Sequence, residues 1–426
     1  MRFIDLFAGL GGFNLALSAL GHECVFACEI DETLRELYQK NFGMEAAGDI
    51  RQVDPTNIPA HDILCAGFPC QPFSKAGRQE GFEHPELGSL YQDIMRIVGH
   101  HHPDYIILEN VPNFQRHGNG KTWSDIEKLL RDQGYDVSIK KLSPHNFGVP
   151  QIRERVYIVG KKGTLSLFTW PVPFPRGSKT SIKVILDKKP GEARPLSEQV
   201  LNIIKVWQEF LDYVPKTEKI PHPIWSNEFG ATYPYEKITP IQLSLDELQK
   251  YCGSQGRPLG EATSLEDAFN LLPSYALRTG EKFPDWKIQY IKKNRLFYEK
   301  HKDFLDKWKT KIIEFPPSFQ KLEWNCQGEA DRNLTKYVLQ IRPSGVRVKR
   351  PTTAPSLVAM TATQVPIITW ESRYMTPTEC KRLQSMEGLV HLPKSSGKAY
   401  EALGNAVNVE VVKKVAQALI GEQRFF

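Results

Sequence analysis

The chain has 426 residues, enough for two or three domains, and carries 55 basic and 49 acidic side chains for a net charge of +6. Its 41% hydrophobic and 24% charged residues are typical of a soluble globular protein and exclude a long disordered, collagen-like or coiled-coil chain. No apolar run approaches the roughly 18 residues of a membrane helix, and residues 1–6 enter a strand-like run without the pattern of a signal peptide. The seven cysteines form no CxxC pair, so we expect neither a zinc site nor a disulfide framework, and a reducing cytoplasm.

Strand and helix signals alternate over residues 1–162. Strands are predicted at 2–8, 23–29, 61–66, 105–108, 137–142 and 155–160, and helices at 13–20, 32–41, 90–100 and 123–133. Such alternation predicts an α/β fold with a mostly parallel sheet and helices on both faces. The pattern breaks after 162, where prolines are frequent and helices irregular. We therefore predict a first domain at 1–162, a second at 163–372, and a C-terminal segment at 373–426 whose last helix packs back on the first domain.

The excess positive charge is concentrated in the middle of the chain. Residues 163–355 hold 30 basic and 22 acidic side chains, a net charge of +8, whereas the remainder has a net charge of −2. The stretches 287–311 and 342–350 are the most basic, and the first interleaves its lysines with aromatics, which suits phosphate contacts and base stacking. A solvated basic helix and a charged loop would explain the same pattern.

A glycine turn follows the first predicted strand. Gly9 and Gly11 would let the backbone approach a ligand at the carboxyl edge of the sheet, where α/β proteins bind their ligands. Glu29 ends the second strand 20 residues after Gly9, a spacing that suits a carboxylate binding two ribose hydroxyls. Asn14 stands where a dinucleotide fingerprint requires a small residue, so a ligand with adenosine but no pyrophosphate is favoured, with S-adenosylmethionine as the candidate. A tight turn without a ligand is the alternative.

A cysteine in a loop held by two prolines follows the third predicted strand. Cys70 lies between Pro69 and Pro72, each of which fixes its own backbone angle and restricts the residue before it. Loops at the carboxyl ends of strands are where α/β folds place reacting groups, and a thiolate there is a potent nucleophile. A lone cysteine is more often a buried core residue, which suits Cys65 inside the strand but not Cys70.

One acidic and two basic side chains belong to later strands. Glu109 directly follows the apolar run 106–108, where poor solvation would raise its pKa and allow it to donate a proton. Arg153 and Arg155 enter a strand on the same face, and two guanidiniums facing one way suit phosphate or base oxygens. A solvated strand-end glutamate and an ordinary charged strand edge are the alternatives.

Six motifs occur in order along the chain. They are DLFAGLGG from residue 5, GFPCQPFS from 67, ENV from 109, QIRERVYIVG from 151, RYMTPTECKRLQ from 373 and YEALGNAV from 400. Together they resemble the DNA cytosine-5 methyltransferases, over about 1–162 and 342–426. The resemblance implies the class I S-adenosylmethionine-dependent methyltransferase fold, with a Rossmann-like, mostly parallel sheet in the catalytic domain. It also makes 163–372 a smaller, irregular target-recognition domain that reads DNA.

The resemblance implies a covalent mechanism. Cys70 would attack carbon 6 of a cytosine flipped out of the duplex, and Glu109 would protonate or hydrogen-bond ring nitrogen 3. Arg155 would hold the flipped base and Arg153 would support the nucleophile loop. S-adenosylmethionine would be the methyl donor and S-adenosylhomocysteine the product, with no metal.

The same resemblance assigns the binding residues. Those implied for the cofactor are Phe7, Ala8, Gly9, Leu10, Gly11, Glu29, Ile30, Asp49, Ile50, Gly67, Pro69, Leu90, Asn405 and Val407. Those implied for DNA are Gln71, Ser74, Arg347, Lys349, Arg350, Ser356 and Thr361.

The expected partner is double-stranded DNA, methylated within a short specific sequence. Because the motifs fill both ends of the chain and leave no room for regulatory domains, we expect a prokaryotic or phage enzyme. Its expected role is to protect DNA in a restriction–modification system beside a nearby restriction endonuclease, without a stable complex. We expect a cytoplasmic monomer, associated with the nucleoid when bound to DNA and with no membrane contact.

Three other functions fit parts of the sequence. An RNA cytosine-5 methyltransferase acting on transfer RNA would share the motifs around Cys70 and Glu109, but such relatives have a short recognition region and a Cys-Phe-Thr segment that is absent here. An inactive DNA-binding scaffold would be expected to lack one of those two residues or the cofactor glycines, and all are present. An amino-methyltransferase would carry an Asn/Asp-Pro-Pro-aromatic loop, which residues 69–72 do not form.

Overall fold

The computed structural model describes residues 1–69, 90–175, 180–277, 280, 282–359 and 364–421. The chain divides into two compact units. The first is built from Met1–Pro190, Thr352–Ala362 and Thr376–Phe426, and the second from Gly191–Pro351 and Thr363–Met375. No helix in the described ranges is long and apolar enough to cross a membrane.

A six-stranded, mostly parallel sheet forms the centre of the first unit. Its strands are β1 (Arg2–Leu6), β2 (Glu23–Cys28), β3 (Ile63–Ala66), β4 (Tyr105–Asn110), β5 (Tyr135–Leu142) and β7 (Arg155–Lys162), in the order β2-β1-β3-β4-β7-β5. Strands β2, β1, β3 and β4 are parallel, and β7 is antiparallel to both β4 and β5. Strand β3 is buried at every position, as expected for a parallel strand covered on both faces. The predicted fold class is confirmed.

Helices pack around this sheet. They are α1 (Gly12–Ser18), α2 (Glu32–Phe42), α3 (Leu90–His101), α4 (Lys121–Asp132), α10 (Pro377–Leu383), α11 (Ser396–Asn405) and α12 (Val409–Ile420). Side-chain caps determine where several of them begin. Asp31 accepts from the Leu34 amide at the start of α2, and Asn408 accepts from the Val411 amide at the start of α12. Helix α12 packs against α1, so the last helix of the chain belongs to the first unit.

The first unit extends beyond the boundary predicted at 162. Residues 163–190 stay with it because the Leu165 amide donates to the Asp136 carboxylate and the Trp170 indole donates to the Ser138 hydroxyl. The chain also returns to this unit at 352–362, where β12 (Ala354–Pro355) pairs with β6 (Gln151–Ile152). These long-range contacts leave no local signal in composition or periodicity.

The second unit contains a mixed six-stranded sheet that the sequence did not indicate. Its strands are β8 (Ile224–Trp225), β9 (Lys321–Trp324), β10 (Val338–Arg342), β11 (Gly345–Lys349), β13 (Ile367–Ile368) and β14 (Arg373–Tyr374), in the order β14-β13-β10-β11-β9-β8. Its helices are α5 (Glu198–Tyr213), α6 (Leu245–Leu248), α7 (Leu265–Asn270), α8 (Asp285–Lys300) and α9 (Lys302–Ile312). Three of these strands have only two residues, and β9 and β11 alternate buried with partly exposed side chains over only four residues each.

Part of the basic stretch predicted for nucleic-acid contact is structural. Arg295 in α8 donates from Nε to the buried Glu228 carboxylate at 2.9 Å and from Nη1 to the Tyr233 carbonyl at 2.9 Å. The same carboxylate accepts from the Tyr275 hydroxyl at 2.6 Å. Lys287 is also buried and donates to the Tyr275 carbonyl at 2.8 Å. Arg295 and Lys287 therefore stabilise the interior of the second unit.

Replacing Arg295 by methionine is expected to destabilise the second unit by roughly 3 kcal/mol, because Glu228 would remain buried without its cation. Urea unfolding followed by tryptophan fluorescence measures this, since six of the eight tryptophans lie in that unit. The control is Lys292→Met on the exposed face of α8, expected to change stability by less than about 0.5 kcal/mol. Equal stability of the two variants would contradict the structural role of Arg295.

Candidate active site

The parallel register brings the predicted site residues to one edge of the sheet. Leu6 pairs with Cys28 and with Ala66, and Ala66 pairs with Leu108. The residues that follow these four positions are Phe7, Glu29, Gly67 and Glu109. Because adjacent strands are about 4.8 Å apart, these four residues lie side by side at this edge, with Phe7, Glu29 and Gly67 just beyond their strands and Glu109 within β4. We call them the edge row.

The turn after β1 is held in a left-handed conformation. Phe7, Gly9 and Gly11 have φ angles of 57°, 54° and 77°. The Gly9 amide donates to Oε2 of Glu29 at 2.8 Å, and the Asp31 amide donates to Oε1 at 2.9 Å. Burial raises the pKa of Glu29, and these two amides oppose that rise. Glu29 therefore fixes the shape of the glycine turn.

The surroundings of the turn fit an adenosine-containing cofactor. A Cβ atom placed on Gly9 would meet no atom of the described residues within 4 Å, so among those residues one side of the turn is open. On the other side, a Cβ on Gly11 would lie 2.3 Å from the Phe42 ring. Ile30, next to Glu29, is 65% exposed and offers an apolar surface for a flat ring. A carboxylate, an open glycine backbone and an exposed apolar side chain are the groups that a nucleoside requires.

The other residues predicted for the cofactor differ in their exposure to solvent. Ala8, Leu10, Ile50 and Leu90 are buried, and Gly67 and Pro69 are partly exposed. The segment 46–50 runs beside the end of β2, because the Glu29 amide donates to the Ala47 carbonyl at 2.9 Å. This brings Asp49 near the edge row, where the Arg51 guanidinium lowers the pKa of its carboxyl group.

Two cofactor residues were predicted at the C-terminal end of the first unit. Asn405 is exposed at the end of α11. Val407 is buried, and its methyl groups lie 2.5 Å and 3.3 Å from the Cβ positions that Gly12 and Gly67 would have with a side chain. The glycines therefore allow the C-terminal segment to approach the turn closely.

Glu109 is a buried acid facing a cation. Its Oε1 lies 3.0 Å from Nε of Arg155 without the alignment of a hydrogen bond. In the sheet, Glu109 pairs with Tyr157 of β7. Burial raises the pKa of Glu109, and the charge of Arg155, followed by that of Arg153, partly offsets the rise. The Arg155 side chain is 17% exposed, so it is more accessible to solvent than the Glu109 side chain, which is 8% exposed.

A further residue, Asn110, connects two motifs and was not singled out from the sequence. Its Nδ2 donates to the Phe68 carbonyl at 3.3 Å, and its Oδ1 accepts from the Val111 amide at 2.8 Å. Asn110 thus ties the end of β4 to the chain two residues before Cys70. An asparagine directly after an acidic strand end was the available signal. Cys70 itself, with Gln71, Ser74 and Thr361, lies outside the described residues.

Arg153 is 2% exposed, and its charge contributes less than that of Arg155 to the pKa of Glu109. Its guanidinium donates to the carbonyls of Leu357, Gly404 and Ala406. Within the described residues it therefore contacts the backbone of two distant segments of the first unit. The support of the nucleophile loop assigned to Arg153 stays a prediction, because residues 70–89 lie outside the described ranges.

The residues predicted for DNA contact differ in whether their side chains already have partners within the protein. Arg347 is ion-paired with Glu323 at 2.6 Å, and Arg350 is ion-paired with Glu329 at 2.6 Å. Lys349 is partly buried, and desolvation lowers its pKa. Ser356 belongs to the first unit and lies 3.4 Å from Nη1 of Arg153. Both arginines already have partners, which the charge count could not reveal.

Comparison with known proteins identifies the family. The family model described as C-5 cytosine-specific DNA methylase matches residues 1–421. The chain belongs to this family. The family implies S-adenosylmethionine as methyl donor, in agreement with the turn and carboxylate described above. No group of three or more His, Cys, Asp or Glu side chains is placed to hold a metal ion in the part of the chain that the structure describes.

Relatives of known type support this assignment. The type II methyltransferase M.HhaI of Haemophilus parahaemolyticus is 41% identical over 52% of this chain and 67% of its own length. M.AluI of Cellulosimicrobium cellulans is 30% identical over 99% of this chain and 92% of its own length. In fold, the chain is similar to the Dnmt2 methyltransferase of S. pombe, with a TM-score of 0.50, 19% identity and full coverage of both chains.

Replacing Gly9 by alanine is expected to weaken S-adenosylhomocysteine binding more than about tenfold, because the new Cβ enters the open side of the turn. The free energy of unfolding of Gly9→Ala should fall by only about 1–2 kcal/mol, which is the cost of an alanine in the left-handed conformation. Gly11→Ala should lose more stability, because its Cβ meets the Phe42 ring. Calorimetric titration and thermal unfolding measure the two effects.

The matched control is Gly134→Ala, in which the glycine is also left-handed and meets no atom within 4 Å but lies in the turn between α4 and β5. It should lose similar stability to Gly9→Ala and keep its affinity for S-adenosylhomocysteine. Equal loss of affinity in the two variants would refute the assignment of the Gly9 turn.

Proposed function

We propose that this protein methylates carbon 5 of a flipped-out cytosine within a short specific DNA sequence, through a covalent bond from Cys70, and thereby protects DNA in a restriction–modification system. The observation that carries the proposal is the edge row, in which Glu29 and Gly67 follow β2 and β3 and the buried Glu109 lies near the end of β4, all in register through β1. Cys70 follows Gly67 by three residues. The nucleophile and the acid thus belong to the neighbouring strands β3 and β4, and the cofactor carboxylate belongs to β2 on the other side of β1.

The chemistry requires activation of the ring. Carbon 5 of cytosine reacts too slowly unaided, so the Cys70 thiolate forms a bond to carbon 6 and the ring becomes an enamine. Glu109 donates its proton to, or hydrogen-bonds, ring nitrogen 3, so that negative charge does not accumulate. S-adenosylmethionine, when bound, supplies the methyl group. Carbon 5 then loses its proton to water, and the electron pair of that bond re-forms the double bond between carbons 5 and 6 and expels the Cys70 thiolate. Nitrogen 3 returns its proton to Glu109, and 5-methylcytosine and S-adenosylhomocysteine are released.

The described residues support these roles. Burial keeps the proton on Glu109 to a higher pH than an exposed glutamate would. Arg155 lies beside this carboxyl group and would hold the carbonyl oxygen of the base. For the cofactor, Glu29 would bind the ribose hydroxyls while the Gly9 backbone allows close approach. Ile30 and Asp49 would contact the adenine side.

The role in restriction–modification is supported by relatives that are type II methyltransferases. A cognate endonuclease would cut the same sequence when it is unmethylated. We propose double-stranded DNA as the substrate and a monomer as the working form, because one base is flipped at each visit.

The test uses purified protein, labelled S-adenosylmethionine and unmethylated phage DNA, with transfer RNA in a parallel reaction. Wild type should label DNA alone, and bisulfite sequencing should place 5-methylcytosine at one short motif. Cys70→Ser should lose more than about 1,000-fold in rate while still binding DNA. Cys252→Ser, at a partly exposed cysteine of the second unit, is the control and should remain active. Labelled transfer RNA with unlabelled DNA would refute the DNA substrate.

The pH profile tests Glu109 and Arg155 together. Because the Arg155 cation lowers the pKa of Glu109, Arg155→Met should raise that pKa further. If protonated Glu109 is required, activity declines as pH rises through its pKa, so the alkaline limb of kcat should move to higher pH in this variant. Arg155→Lys keeps the charge and should keep the limb near its wild-type position. An unmoved limb in Arg155→Met would exclude Glu109 as the titrating acid.

A further inference from the structure

One buried guanidinium joins two segments of the first unit that are distant in sequence. Nη1 of Arg153 donates to the Leu357 carbonyl at 2.9 Å and lies 3.4 Å from the Ser356 hydroxyl. Nη2 donates to the Gly404 carbonyl at 2.8 Å and to the Ala406 carbonyl at 3.1 Å. Because the side chain is 2% exposed, water cannot replace these acceptors. Separating either segment would leave a buried cation under-bonded.

The two segments also touch directly through their backbones. A Cβ atom on Gly404 would lie 2.7 Å from both the amide nitrogen of Ala359 and the carbonyl carbon of Val358. Such spacing leaves no room for a side chain. Segments 356–359 and 404–407 are therefore packed against each other as well as bonded to Arg153.

Each segment leads to a different part of the site. Segment 404–407 ends at Val407, whose methyl groups pack against the positions of Gly12 and Gly67 beside the cofactor turn. Segment 356–359 follows β12, which is held by the Ala354 amide donating to the Pro150 carbonyl at 2.7 Å. It leads toward Thr361, assigned to DNA contact from the sequence. Arg153 therefore bonds both the segment that packs beside the cofactor turn and the segment that precedes Thr361 in the sequence.

Lysine cannot replace arginine at this position. The planar guanidinium presents its donors as a fork, and here each terminal nitrogen serves one segment. A single ammonium on a lysine side chain could bond one segment but not hold both. Arg153→Lys thus keeps the buried charge and removes the bridge.

We propose that Arg153 is a positioning residue that transmits occupancy of the cofactor site to segment 356–359, so that cofactor binding orders the segment that leads to the DNA contact. The inference rests on the proposed function for the identities of the two ligands. Cofactor bound at the glycine turn restrains Val407 and hence 404–407. The guanidinium and the Gly404 contact then restrain 356–359, before any DNA is present.

The test is amide hydrogen exchange, measured by mass spectrometry on the full-length protein with and without saturating S-adenosylhomocysteine. In wild type, peptides covering 356–359 and 403–409 should both exchange roughly fivefold more slowly with the ligand. In Arg153→Lys at saturating ligand, 403–409 should keep this protection and 356–359 should lose it. The control is Arg131→Lys, at an exposed arginine of α4, which should behave as wild type.

A second variant tests the bridge without changing charge. Gly404→Ala forces its Cβ against the backbone at 358–359, so it should also abolish the protection of 356–359. Gly404→Ala provides the test of the bridge if Arg153→Lys does not fold. Protection of 356–359 that persists in either folded variant would overturn the proposal.

Calorimetry on wild type separates this proposal from the proposed function. If S-adenosylhomocysteine binds and 356–359 is not protected, the coupling is wrong and the methyltransferase assignment stands. If the ligand does not bind wild type, the cofactor site and the coupling are both wrong.

Discussion

The parallel pairing of β2, β1, β3 and β4 determines where the chemistry of this protein takes place. Parallel strands end at the same edge of a sheet, and here their register aligns Glu29, Gly67 and Glu109. The residues come from three different strands, yet no long side chain or flexible loop is needed to bring them together. The glycine turn depends on the same edge, because Glu29 bonds the Gly9 amide. One carboxylate thereby shapes the turn and remains at the place where a ribose would lie.

The charged residues divide into two groups by burial. Arg153 and Arg295 are held inside their units, where they bond carbonyls or a buried carboxylate and stabilise local structure. Arg155 faces the site edge and shifts the pKa of Glu109. Arg347 is paired within the second unit. A count of basic residues therefore overstates the charge that is available to DNA, because part of that charge stabilises the fold.

Local patterns were sufficient for the strands of the first sheet and for the turn after β1. Apolar strand runs and glycines are encoded within a few residues each, so the sheet edge could be predicted from the sequence. The roles assigned to Glu109 and the other site residues stay predictions. The second sheet was missed because three of its strands have only two residues and the alternation in β9 and β11 spans only four residues each. The bridge at Arg153 and the return of the chain at β12 depend on contacts between residues some 200 positions apart, and the extension of the first unit beyond 162 depends on contacts about 30 positions apart. Asn110 acts through the Phe68 carbonyl. Such contacts have no signature in one sequence.

The central claim is that Cys70 forms a covalent bond to the target cytosine beside the edge row. The most direct measurement is peptide mass spectrometry after incubation with S-adenosylmethionine and DNA containing 5-fluorocytosine. A base can remove hydrogen from carbon 5 as a proton but cannot remove fluorine as a cation. The elimination is therefore blocked, and the bond between sulfur and carbon 6 should persist after methyl transfer. We predict one stable adduct, located at Cys70. Trapped DNA on another residue, or methylation of normal DNA without any trapped adduct, would contradict the mechanism.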